Sequence, residues 1–320
     1  MSRIRLAGVF CVALGVLGRG GAAQGQDPQR PPTFRAQASA VSVDVAVRDK
    51  SRKPIVDLAV GDFVIEDNNV RQTIDSLSYA KRPIDVTVGL DVSGSVTGLV
   101  LERLRQAVAE LARGLRDVDR VKLVLFNTQL RRAIDFSSDA QAVSRAMRDV
   151  PAGGATALYD TLGAELVAAR DTERRQLIMF FTDGIDSGSL TSPQVIQTIA
   201  VRARATVTFV TTGQVTQILS TGVIGSSTIV RPTITRPNPL ILSPTSLLAT
   251  VARDTGGEVV PADATTNLGS VFRKILDDFR SSYVLFYSPT GVEKAGFHTI
   301  TVTVSRPDLV VTARRGYFGG

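Results

Sequence analysis

The chain has 320 residues, enough for two folded units at roughly 150 residues each, with 43% hydrophobic and 21% charged residues. That balance excludes wholesale disorder and collagen-like or coiled-coil fibres. Trp is absent, and His298 and Cys11 are the only residues of their types, so histidine-rich metal sites, zinc clusters, cysteine nucleophiles and disulfide frameworks are excluded too.

Residues 1–26 begin with Arg3 and Arg5, continue through a mostly apolar run over 6–17, and reach the small residues Gly20-Gly21-Ala22-Ala23. This is the layout of a secretory signal peptide over 1–23, with an apolar run too short to span a bilayer; the alternative is a retained anchor. Cleavage would remove Cys11 together with Arg3, Arg5 and Arg19, taking the net charge from +7 to +4. A cysteine-free mature chain with no membrane span suits secretion or a bacterial periplasm. Its basic residues are scattered among carboxylates, with no Lys/Arg block interleaved with aromatics, so no nucleic-acid partner is expected.

A Pro-rich linker over 24–40 leads into Val41-Ser42-Val43-Asp44-Val45-Ala46-Val47, which alternates with the period of a half-buried strand. Phe63-Val64-Ile65-Glu66 and the stretch 73–77 continue the pattern around an Asp67-Asn68-Asn69 turn. Residues 41–82 therefore read as an N-terminal β segment. From Pro83 the pattern becomes short apolar runs alternating with amphipathic segments, which predicts an α/β domain over 83–282, a doubly wound, mostly parallel sheet covered by helices. Strands are expected at 85–90, 121–126, 176–182 and 206–211. Helices follow from the spacing of Val100, Leu104, Val108, Leu111 and Leu115, of Leu158, Leu162, Leu166 and Ala169, and of Leu268, Phe272, Ile275, Leu276 and Phe279. Residues 214–243 form a Ser/Thr/Ile/Pro-rich insertion without helical period. Residues 283–320 return to period-two strands, expected to pair with 41–82 in a small β-sandwich-like domain into which the α/β domain is inserted.

The informative stretch is Asp91-Val92-Ser93-Gly94-Ser95, directly after a buried strand and before a helix. In open α/β sheets, loops from several strands converge at the carboxyl ends. A carboxylate and two hydroxyls at alternate positions offer oxygen donors, which a hard divalent cation selects, although Asp and Ser also cap helices and form turns. Gly153-Gly154-Ala155-Thr156 and Phe181-Thr182-Asp183-Gly184 place another hydroxyl and a second carboxylate at the same end. Asp160 and Asp186 read as surface or turn residues rather than ligands, and His298 as a surface residue of a strand-like stretch rather than a catalyst.

These residues resemble the von Willebrand factor type A (vWA) family and its metal-ion-dependent adhesion site, an Asp-x-Ser-x-Ser motif with a Thr in a second loop and an Asp in a third. Asp91, Ser93, Ser95, Thr156 and Asp183 match all five positions. Ala252-Arg253-Asp254-Thr255-Gly256-Gly257 is similar to the late part of the same fold, and the flanking stretches 62–67 and 283–287 are similar to those of secreted bacterial vWA-related proteins. The resemblance implies that Ser93, Ser95 and Thr156 supply hydroxyl ligands while Asp91 and Asp183 bind directly or through water. Mg2+ is the favoured ion, ahead of Mn2+ or Ca2+. A partner protein presenting Asp or Glu would take a remaining position. In related domains the final helix shifts, which makes 267–280 the candidate transmitter.

The leading expectation is a secreted, non-enzymatic, metal-dependent binding or adhesion module. One alternative is a Mg2+-dependent hydrolase or phosphoryl-transfer enzyme, for which the sequence offers no phosphate-binding glycine loop or nucleophile elbow. Another is a structural envelope protein whose α/β domain is a scaffold.

Overall fold

The architecture is that of a computed structural model that describes residues 40–79, 81–169, 173–212 and 244–320. The expected leader over 1–23, nearly all of the linker and the insertion over 214–243 lie outside the described residues.

Strand β5 (Ile84–Asp91) is buried along its whole length, which puts it in the middle of a six-stranded sheet. It pairs in parallel with β6 (Arg120–Phe126) on one side and β8 (Arg175–Thr182) on the other. Strands β9 (Ala205–Thr211) and β10 (Val259–Pro261) extend the parallel side, and β7 (Leu130–Ser137) closes the other edge antiparallel. The full order is β10-β9-β8-β5-β6-β7. Strands buried on both faces carry near-continuous apolar runs because helices cover them above and below. One face packs against α1 (Leu99–Arg113), α2 (Ala140–Ala146) and α6 (Leu268–Arg280), through Leu104, Leu111, Val143, Phe272 and Ile275. The other packs against α3 (Leu158–Ala168), α4 (Pro193–Ala200) and α5 (Pro244–Thr255), through Leu162, Ile196 and Leu248. After α5, the turn at Gly257 brings the backbone so close to β9 that a Cβ there would lie 2.0 Å from the Val207 carbonyl oxygen. Only glycine fits.

The segments flanking this domain pair with each other, giving the expected sandwich. Strand β1 (Val41–Arg48) lies antiparallel between β11 (Tyr283–Tyr287) and β13 (Val310–Ala313), and β4 (Ile74–Tyr79) pairs with β11. The facing sheet has the order β14-β12-β2-β3, built from Gly316–Gly319, Gly296–Val304, Phe63–Asp67 and Val70–Gln72. Asn68 and Asn69, at φ 48° and 65°, make the two-residue turn between β2 and β3. Val43, Val45, Ile65, Leu285 and Tyr287 fill the space between the sheets.

His298 corrects the sequence reading. It is 1% exposed, not a surface residue, because its Nδ1 lies 2.8 Å from Oδ1 of Asp67 at the inner end of β2. Asp67 Oδ2 also accepts from the hydroxyls of Tyr287 (2.9 Å) and Tyr317 (2.8 Å), and the Tyr317 ring stacks on the imidazole at 4.5 Å. Burial, reinforced by Asp67, pushes both tyrosine hydroxyls above their ordinary range. Asp67, Tyr287 and Tyr317 thus find hydrogen-bond partners within the cluster, while the buried His298 Nε2 has none among the described residues.

The sandwich joins the α/β domain through ionic contacts at the amino-terminal ends of the parallel strands. Arg175 Nε donates to Asp44 at 2.6 Å and its guanidinium lies 4.0 Å from the Phe279 ring centroid. Arg48 bonds Asp278 at 3.2 Å, and Arg314 donates to the Val201 and Ala203 carbonyls after α4. A cavity of about 390 Å³ lies at this joint. Among the described residues, no helix is long and apolar enough to cross a membrane.

Asp67→Ala would leave the donors of Tyr287, Tyr317 and His298 without their common acceptor. We predict a loss of roughly 3–5 kcal/mol in unfolding free energy, measured by urea denaturation, since breaking one side of a buried polar cluster strands the other. A loss below about 1 kcal/mol would show that the cluster contributes little.

Candidate metal centre

The first loop starts where β5 ends. Asp91, with no exposed surface, has Oδ1 accepting the Ser93 amide at 2.9 Å and Oδ2 accepting the Thr182 hydroxyl at 3.0 Å. The first contact bends the chain through the Asp-x-Ser turn; the second ties it to the neighbouring strand β8. Thr182 also accepts the Gly184 amide at 3.0 Å, so one hydroxyl orients both Asp91 and the start of the third loop.

From this turn the polar side chains run in a continuous line. Ser93 Oγ lies 3.3 Å from Ser95 Oγ, and Ser95 Oγ donates to Asp183 Oδ2 at 3.0 Å. Asp183 Oδ1 accepts the Ile185 amide at 3.0 Å, which fixes the carboxylate's direction. Four of the five residues singled out from the sequence, Asp91, Ser93, Ser95 and Asp183, are therefore joined by direct contacts.

Thr156, the fifth, is brought in through its backbone. Its loop is tied to the first by the Gly94 amide donating to the Gly154 carbonyl (3.2 Å) and the Gly153 amide to the Val92 carbonyl (2.8 Å). Gly154 has φ 87°, and a Cβ there would lie 2.7 Å from Thr128 Oγ1, so the tight pass requires glycine. The third loop then folds over Thr156: its amide donates to Ser187 Oγ at 3.0 Å, and the amides of Ser187 and Gly188 donate to its carbonyl at 2.9 Å. Asp160, in the first turn of α3, and Asp186, in the third loop, bond backbone and hydroxyl groups rather than the oxygen cluster. Asp160 accepts the Leu190 and Thr191 amides at 2.9 and 2.8 Å, and Asp186 accepts the Ser189 hydroxyl at 2.6 Å and the Tyr159 amide at 3.2 Å.

Two positioning residues, Thr182 and Asn127, were not singled out in the sequence. Asn127, after β6, donates from Nδ2 to the Gly153 carbonyl at 2.8 Å, accepts the Gln129 amide on Oδ1, and accepts the Ala157 amide on its own carbonyl. It clamps both ends of the second loop. Its place at a strand terminus was the available signal, but an Asn there reads as a turn former.

The electrostatics favour a cation. Burial pushes the Asp91 carboxyl above its ordinary range, and the neighbouring Asp183 charge adds to the rise. Neither carboxylate forms an ion pair with Lys or Arg among the described residues. Neighbouring oxygens around an octahedral ion at about 2.1 Å stand about 3 Å apart, and the Ser93–Ser95 and Ser95–Asp183 spacings of 3.3 and 3.0 Å match that. No cluster of three or more His, Cys, Asp or Glu side chains occurs among the described residues, so the donors in view are hydroxyl-rich and suited to a hard ion.

Residues 86–185 match the von Willebrand factor type A domain family, and the match contains all five of these residues. This part of the chain is related to the vWA family. Similar solved structures include a von Willebrand factor type A protein from Catenulispora acidiphila, 11% identical, covering 88% of this chain and 75% of that one with a TM-score of 0.49. BatB from Bacteroides thetaiotaomicron is 15% identical over 61% of this chain and 98% of its own, TM-score 0.45. Proximal thread matrix protein 1 from the mussel byssus, solved with a zinc-occupied metal-ion-dependent adhesion motif, is 14% identical over 67% of this chain and 49% of its own, TM-score 0.46.

In the vWA domain, Asn127→Ala should free the second loop while leaving the sheet intact. Deuterium exchange of the amides over 151–157 is expected to speed up by roughly tenfold, the equivalent of about one buried hydrogen bond. Unchanged exchange there would remove Asn127 from the site's framework.

Proposed function

We propose that this chain is a non-enzymatic, divalent-cation-dependent protein-binding module of the bacterial cell envelope or exterior, with Asp91, Ser93, Ser95, Thr156 and Asp183 as its metal site. The observation that carries the reading is the direct line of oxygens from Ser93 through Ser95 to Asp183 beside a buried Asp91, without a basic partner among the described residues. The vWA family match and the leader-like sequence over 1–23 support it.

Ser93, Ser95 and Thr156 would offer neutral hydroxyl oxygens, and Asp91 and Asp183 the only full charges. A bound Mg2+ supplies a coordination position that a partner's Asp or Glu oxygen can fill. The protein's part is geometric. Thr182 and the Ser93 amide hold Asp91 in place, the Ile185 amide holds Asp183, and the second loop is clamped by Asn127. The sole histidine lies in the sandwich against Asp67, so a hydrolytic site here would lack an imidazole base.

In calorimetry and thermal melts, Mg2+ at about a hundred times its Kd should raise the unfolding free energy by about 2.7 kcal/mol. Asp183→Ala is expected to abolish both the binding heat and the shift. Flat titrations of the wild-type chain with Mg2+, Mn2+ and Ca2+ would end the metal reading.

A further inference from the structure

We propose that the metal centre is ringed by an apolar collar, Leu99, Ile185 and Leu190, which selects a protein segment carrying one isolated acidic side chain between bulky apolar residues, and disfavours polyanions. This rests on the metal-binding reading above.

Leu190 is 98% exposed and Leu99 75%, the two most exposed large hydrophobic side chains among the described residues; Ile185 is 49% exposed. Scattered single exposures are ordinary on a protein surface. Here two lie in the third ligand loop and one opens α1 just after the first, where a clustered apolar surface would mark a contact site.

Each side chain is presented by backbone fixed to the site. Leu99 opens α1 four positions after Ser95, directly behind Gly98 at φ 54°. Ile185 donates its amide to the Asp183 carboxylate. Leu190 donates its amide to Asp160 in the first turn of α3, while Ser187 and Gly188 just before it are bonded to the Thr156 carbonyl. Leu190 is thus held out into solvent by a braced loop, and the apolar groups flank the first, second and third ligand loops.

Charge narrows the partner. The described loops at this end, residues 92–99, 127–130, 151–157, 183–192 and 262–267, contain no Lys or Arg. Asp183, Asp186 and Asp263 are their only charged residues. Phosphate- or sulfate-rich ligands are held by several distributed cations, and forked Arg contacts in particular. Arg103 of α1 is turned to the Asp263 and Thr266 carbonyls, and Arg131 and Arg132 lie on the edge strand β7. Among the described residues of these loops the ion would be the one positive charge, set among aliphatic side chains. A lone carboxylate with apolar neighbours complements it; a run of acids would meet Asp183 and Asp186 instead.

The test is a selection from a displayed random linear peptide library on the full mature chain in Mg2+, with a parallel selection in chelator. Enriched peptides should contain a single Asp or Glu with Leu, Ile, Val, Phe or Met within two positions, and should vanish in chelator. Their affinity should fall at least tenfold in the Leu99→Ser/Leu190→Ser double variant, whose exposed positions leave folding untouched, while Mg2+ calorimetry stays unchanged. Four outcomes with intact Mg2+ binding would overturn the collar alone: acidic runs, acids without apolar flanks, indifference to the double variant, or no enrichment. Flat Mg2+ calorimetry on the wild-type chain would overturn the metal reading and the collar with it.

Discussion

Two aspartates terminate the central strand β5, and the contrast between them organises the molecule. Asp85 stands at its beginning, where burial pushes its carboxyl up but Arg120 and Arg174, at 2.7 and 2.6 Å, outweigh that and hold it below the ordinary range. Asp91 stands at its end, equally shielded from solvent, and is pushed upward because only neutral hydroxyl and amide donors reach it. The chain carries 37 basic residues against 30 acidic ones, and it places arginines beside Asp85, Asp119 and Asp44. Among the described residues it places none at Asp91 or Asp183. A buried carboxylate beside a second carboxylate costs stability unless a positive charge arrives from outside.

The other end of the domain is built on the opposite rule. There Arg175 reaches Asp44 and Arg48 reaches Asp278, both across the joint with the sandwich, and Arg280 reaches Asp119 within the domain. Helix α6 spans the two ends. Arg103 of α1 donates to the Asp263 and Thr266 carbonyls just before its first turn, while Arg48 and Arg175 grip its last turn through Asp278 and Phe279. The sandwich therefore touches the helix that begins beside the site loops but not the site itself, and the joint cavity is remote from the oxygen cluster.

What the sequence makes legible depends on whether a residue's environment is set locally. Strands such as 176–182, all apolar but for their ends, announce burial on two faces, and Asn68-Asn69 announces its own left-handed turn. The Asp-x-Ser-x-Ser loop is legible for the same reason: a turn after a buried strand has one place to be. Strand β7 was not, because Leu130-Arg131-Arg132 faces solvent at a sheet edge and bulges interrupt its pairing with β6, so no clean alternation survives. Helix α2 buries only Val143, too little for a stripe. His298 failed as a surface reading because its burial is decided by Asp67, 231 positions away. Thr182 and Asn127 escaped notice likewise: their partners Asp91 and Gly153 are contributed by other strands and loops.

The loops around the site are rich in residues usually associated with mobility, yet most amides in them have an acceptor. Asp160, Asp186, Ser187, Ser189 and Asn127 hold the second and third loops by side-chain bonds to backbone groups. If a partner binds as proposed above, these internal bonds would spare it part of the cost of ordering the loops. A framework braced in this way cannot mould itself to many shapes. On the binding function proposed above, discrimination by the described residues would come from what projects beyond the braces, namely the oxygens of Ser95 and Asp183 and the side chains of Leu99, Ile185 and Leu190, one polar point beside apolar groups.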